Sequence, residues 1–178
     1  MLRRRRRFLV PALMLIVLLF VLAIAVVKYL GPVHALADAV SLDTVHSPPE
    51  PVGTLVSFAI PELVVRGQRP VRLLSARLVE VPPGIETVSV MAAHYDATGG
   101  YVAVTDDGPS RSALPVPKLY PVSAVRLVPG QTTDWYLLAT VKVTRRGQFL
   151  VKGVTVTYRV DGRTGTQTYP NELRIDAH

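Results

Sequence analysis

Asp134-Trp135-Tyr136-Leu137-Leu138-Ala139-Thr140-Val141-Lys142-Val143-Thr144 is the stretch on which the fold turns. Trp135, Leu137, Ala139, Val141 and Val143 take alternate positions, with Thr140, Lys142 and Thr144 between the last of them. Successive side chains of an extended backbone point to opposite faces, so an apolar period of two marks a strand. Its second face is polar, which predicts one wet side. A tryptophan in register with aliphatic neighbours reads as core before it reads as a ligand platform.

The same period recurs on both sides. Upstream, Val56, Phe58 and Ile60 alternate as far as Pro61. The stretch 71–81 sets Leu74, Ala76 and Leu78 against Ser75 and Arg77 and stops at Pro82-Pro83-Gly84. Val88, Val90 and Ala92 share one side of 87–95, 100–105 is a short candidate, and 122–128 is another, ending at Pro129-Gly130. Downstream, the apolar parity set by Phe149 and Val151 changes at Gly153 to Val154, Val156, Tyr158 and Val160, as a bulge at Gly153 would explain. Asp161-Gly162-Arg163-Thr164-Gly165 is expected to form a hairpin loop, 166–169 the return, and Leu173 and Ile175 the close of the domain.

Seven or eight short strands, turn signals at close intervals and no helical period after residue 37 predict an all-β fold, an antiparallel β-sandwich over 53–178. The stretch Gly147-Gln148-Phe149 through Gly153-Val154-Thr155-Val156-Thr157-Tyr158, with its hairpin into Thr166-Gln167-Thr168-Tyr169, resembles the last two strands of bacterial immunoglobulin-like or fibronectin-III-like domains. That resemblance implies an immunoglobulin-like sandwich. The families it points to are mostly adhesive, structural or accessory modules of the cell envelope, so it implies a binding role. The Cys, Trp, Cys arrangement of true immunoglobulin domains is absent, because the chain has no cysteine.

The N-terminus adds a second kind of element. Phe8 to Val27 contains no charged residue and follows Arg3, Arg4, Arg5, Arg6 and Arg7. As a helix it would be about 30 Å long, enough for a bilayer core. We therefore expect a cytoplasmic arginine arm at 1–7, one transmembrane helix at 8–30, a Pro-containing spacer at 31–52, and the sandwich beyond. Lys28 is the only cation near the far end of the span, so the charge bias holds the N-terminus in the cytoplasm and sends the rest outside. The lipid bilayer is then an obligatory partner. The span carries neither an ionisable residue nor Gly-x-x-x-Gly, so it reads as an anchor alone.

Two rival readings concern processing. Ala35-Leu36-Ala37 supplies the small residues a signal peptidase reads, and cleavage there would leave Asp38 first. Arg5-Arg6-Arg7-Phe8-Leu9 resembles a twin-arginine signal. The apolar run exceeds the length usual in secretory signals, and Lys28, Tyr29 and Pro32 precede the candidate site, so a retained anchor is preferred.

Charge corrects a false lead. The net charge of +7 belongs to the arm: from Asp38 onward fourteen Lys and Arg face thirteen Asp and Glu. A nearly neutral outer domain argues against a nucleic-acid partner. Lack of cysteine excludes a thiol nucleophile and thiolate metal ligands. His34, His46, His94 and His178 are too far apart in sequence to form a ligand pair on one element. Neither Gly-x-Ser-x-Gly nor Ser-x-x-Lys occurs in the outer domain, and no glycine cluster there opens a helix, so we expect no enzyme and no cofactor.

One interval resists a purely structural reading. Between Asp96 and Pro121 the chain holds one short strand and then four prolines with Ser110, Arg111, Lys118 and Tyr120. Long connections of this kind tend to be functional or unstructured. Asp96, Asp106 and Asp107 offer oxygens to a calcium ion, or with Tyr101, Arg111 and Tyr120 a polar and aromatic recognition surface. Against this, Asp106-Asp107-Gly108 is also an ordinary turn sequence. The expected function is a non-catalytic interaction or accessory module of a bacterial envelope complex, contacting an envelope protein through this interval or an exposed strand edge. The alternative is a module for a cell-wall glycan or calcium, secreted after cleavage near Ala37.

Overall fold

Two five-stranded sheets share one apolar core between residues 33 and 178. The computed structural model describes residues 14–25, 33–37, 44–60, 63–94, 118–130 and 134–178, together with the backbone of 104–106. Among these residues the strands are β1 (Val45–His46), β2 (Leu55–Ile60), β3 (Val71–Val79), β4 (Ile85–His94), β5 (Val104–Asp106), β6 (Leu119–Tyr120), β7 (Arg126–Leu127), β8 (Trp135–Val143), β9 (Gly147–Val160) and β10 (Arg163–Ala177). The first sheet runs β1-β10-β9-β3-β7 and the second β5-β2-β8-β4-β6. The fold is all-β, as the period of two requires.

β8 lies at the centre of the second sheet between β2 and β4. Leu137, Ala139, Val141 and Val143 point into the shared core, together with Val56, Phe58 and Ile60 from β2. The expected wet side exists only in its second half. Tyr136 and Leu138 are buried on the opposite face against Ala59 and Ala93, and the face becomes polar at Thr140, whose hydroxyl lies 2.8 Å from that of Ser57.

The other sheet is built on the β9–β10 hairpin. Its turn is tighter than expected: Val160 pairs with Arg163, leaving only Asp161 and Gly162, both at positive φ, to reverse the chain. A two-residue turn of that conformation matches the twist of the strands it joins. Gly165 is consequently a strand residue, paired with Tyr158 and lying against its ring. At Gly153 the register with β3 shifts, as the parity change implied. Its φ is +66°, and a Cβ there would stand 2.7 Å from the Tyr169 carbonyl oxygen, so the bulge needs glycine.

Three further expectations change. Val88 is the extra residue of a bulge between Thr87 and Ser89, which turns it out to 52% exposure although its alternation with Val90 and Ala92 is unbroken. The segment 122–128 is a 3-10 turn at Val122–Ala124 followed by the two-residue β7, not one strand. Finally, much of the stretch read as spacer is built into the fold. The compact unit begins at Val33. Leu36 is fully buried in the core, Ala37 N–H donates to Val64 O (2.7 Å) and Arg66 N–H to Ala35 O (2.9 Å). The Tyr158 hydroxyl donates to Val33 O (2.6 Å) and accepts from Ala35 N–H (3.2 Å). Farther on, β1 pairs in parallel with β10, and Glu50 continues the pairing at Ala177. The prolines around Glu50 fit this edge position, because an edge strand needs only half of its backbone groups.

The remaining described element is a helix over 14–25 in a separate unit, Met1–Pro32. Its described part is about 18 Å long. Among the described residues no helix is long and apolar enough to cross a membrane; the rest of the expected span, with Arg3, Arg4, Arg5, Arg6, Arg7 and Lys28, lies outside them.

Candidate functional site

The described rim of the 96–121 interval is an aromatic corner of the second sheet. β4 ends at His94 where the interval leaves the sheet, and β6 returns it at Leu119–Tyr120, pairing with Ala92 and Ala93. His94 in turn pairs with Trp135, the first residue of β8. Register alone therefore brings three rings together. The His94 and Trp135 rings meet edge to face at 5.0 Å, and Tyr120 meets Trp135 in the same way at 5.2 Å. All three are half-buried, and Tyr120 and Trp135 pack on the core with one side. Edge-to-face pairs contribute roughly 0.5–1.5 kcal/mol each beyond their buried area. Both contacts hold Trp135 between the other two rings.

Its polar component is Lys118, exposed, with Nζ 5.3 Å from the centre of the Tyr120 ring. A cation held over an aromatic face at an exposed site gains about 0.5–1 kcal/mol. Rings with a hydrogen-bonding rim and one cation suit recognition of an acidic peptide segment or a sugar ring. Among the described residues no three His, Cys, Asp or Glu side chains gather to hold a metal.

Of the residues singled out in sequence, Tyr120 lies in this corner. Asp106 is the last residue of β5, with its backbone opposite Val56, rather than the first of a turn. Asp96, Tyr101, Asp107 and Arg111 lie outside the described residues. His94 and Trp135 join the site although sequence placed them at a strand end and in the core. The only available signal was position: each stands at the end of a strand next to a connection.

The short strands at the sheet edges cover only part of their neighbours: β7 pairs with Val71 and Arg72 alone of β3, and β6 with Ala92 and Ala93 alone of β4. β1, β6 and β7 have two residues each and β5 has three. Short edge strands present few free backbone groups and resist the addition of a foreign strand. The last part of β10, from Leu173, is covered by the run from Val45 to Val52, which bonds along it to His178.

No family model matches the chain, and no curated protein does. Among solved structures the chain is similar to the VesB protease of Vibrio cholerae, at 12% identity and a TM-score of 0.39, over 80% of this chain and 32% of that one. The match thus spans about a third of that protein's length. A likeness this loose assigns neither fold nor activity.

Proposed function

We propose that this chain is a single-pass bacterial membrane protein, its arginine arm in the cytoplasm and the residues from Val33 onward outside, presenting an immunoglobulin-like β-sandwich as a non-catalytic interaction module of an envelope complex. One observation carries the reading. On the helix over 14–25 every large side chain is apolar and more than half exposed, from Ile24 at 52% to Met14 at 72%. A helix apolar on all sides belongs in a protein core or in lipid. The charge-free run on both sides of it, Phe8 to Val27, has the length a bilayer requires.

The docking of residues 33–37 supports a retained anchor. Cleavage after Ala37 would cut away Leu36, a core residue, and both backbone partners of Tyr158. Partner recognition is assigned to the aromatic corner of His94, Tyr120 and Trp135 with the interval beside it. The second reading, a cell-wall glycan module, is favoured by the same half-buried rings, which offer a sugar an apolar face.

The test is cross-linking in the native membrane, purification in mild detergent and mass spectrometry of the complex. Recovery of the peptide containing Leu2 together with another envelope protein in near-equal amount is expected, with the partner lost on Tyr120→Ala. A chain beginning at Asp38 and purifying alone would contradict the proposal.

A further inference from the structure

On the outer face of the first sheet, three arginines form one row across three adjacent strands. Arg72 of β3 is the direct partner of Arg126 on β7 and of Arg159 on β9. All three are exposed, and the same three line one open cleft of about 430 Å3 with Ser123. Directly opposed residues of an antiparallel pair have Cβ atoms about 5 Å apart, and like charges there are destabilising. Here the repulsion occurs twice, with Arg72 in the middle. None of the three makes an ion pair among the described residues, and the carboxylate at the β9–β10 turn, Asp161, is engaged by Arg69 instead. The rows that follow on this face are mainly hydroxyl-bearing: Ser75 opposite Thr157, then Thr155 between Arg77 and Thr168, with the two threonine hydroxyls 2.9 Å apart. Where the chain could have placed any polar residue, it has placed three guanidinium groups in line.

From this row we infer an oxyanion-binding site that no part of the proposed function uses, and we assign it a ligand carrying at least two adjacent phosphoryl groups. Two strand spacings make the row about 10 Å long. That matches a pair of phosphoryl groups and falls well short of the basic stripe that tracks a nucleic-acid backbone. The planar fork of arginine pairs with phosphate oxygens two bonds at a time, and Ser123 adds a neutral hydroxyl at the rim. Two sources share this chemistry: a soluble phosphate polymer, and the phosphodiesters of anionic lipid headgroups.

Sodium tripolyphosphate is the probe, titrated calorimetrically into the full chain in neutral phosphatidylcholine nanodiscs at low salt. Saturable binding is expected, weakened roughly tenfold or more by Arg72→Gln and by Arg126→Gln, while Arg77→Gln, on the same face two rows away, leaves it unchanged. Without ligand, Arg72→Gln is expected to raise the melting temperature by relieving both repulsions, which also shows that the variant folds. If lipid is the source, phosphatidylglycerol nanodiscs weaken tripolyphosphate binding by competition at the row, and Arg72→Gln removes the difference. Equal affinity in both discs assigns a soluble ligand. Absence of binding, or equal loss from Arg77→Gln, would overturn the site.

Discussion

The helix over 14–25 and the β domain dispose of the same kinds of side chain in opposite ways. In the domain, Leu36, Ile60, Leu73, Leu173 and Ile175 are completely buried, and aliphatics left outside are scattered singly. On the helix, Leu15, Ile16, Val17, Leu18 and Leu19 are consecutive and every one is more than half exposed. The residues are of the same kinds, and the difference in exposure is what the proposed membrane anchor rests on. A β domain hides apolar area from water, whereas a helix apolar on all sides is stable in a protein core or in lipid, and the proposal assigns this one to lipid.

The contrast can be broken at the helix with the largest effect. Leu18→Asp with Leu19→Asp places two carboxylates in the middle of the proposed span, at about 3 kcal/mol each against insertion. Membrane pelleting of the chain is expected to collapse while the melting temperature of the β domain stays within error. Loss of both together would mean that helix and domain fold as one body.

In the domain, Leu36→Ala is the matching test. A leucine fully buried in a shared core costs about 2–5 kcal/mol when truncated to alanine, read as a shift in the urea midpoint at constant slope. A free spacer would give no shift. Tyr158→Phe sharpens the same point at smaller scale: it removes one donated and one accepted hydrogen bond to Val33 and Ala35 with little change in volume, for an expected loss of about 1–2 kcal/mol. Least of all, Val88→Thr at the exposed bulge should stay within about 0.5 kcal/mol of the parent. A cost like that of Leu36→Ala would show that β4 carries no bulge there.

What could be read from sequence follows from how local each determinant is. β8 and the parity change at Gly153 are visible because a period of two shows itself over a few residues. The bulge at Val88 is hidden because Thr87-Val88-Ser89-Val90 alternates perfectly and the extra residue is defined only against β8. Residues 33–37 and 44–50 are too short to show a period, and their partners lie far along the chain: Leu173 for Val45, Tyr158 for Ala35. The aromatic corner was half legible. Tyr120 stood out in a proline-rich interval, whereas His94 and Trp135 reach it only through the pairing of β4 with β8 and β6. For the arginine row there was no signal at all, since residues 72, 126 and 159 share nothing until three strands come into register.

Because the chain has no cysteine, single-cysteine labelling reads the central claim directly. Arg4→Cys and Ser47→Cys, the second at a half-buried position on the edge of the domain, would each be treated in intact cells with a maleimide that cannot cross the cytoplasmic membrane. Labelling of Ser47→Cys is expected in intact cells, and of Arg4→Cys only after the membrane is opened. Labelling of Arg4→Cys from outside, or of Ser47→Cys only after lysis, would contradict it.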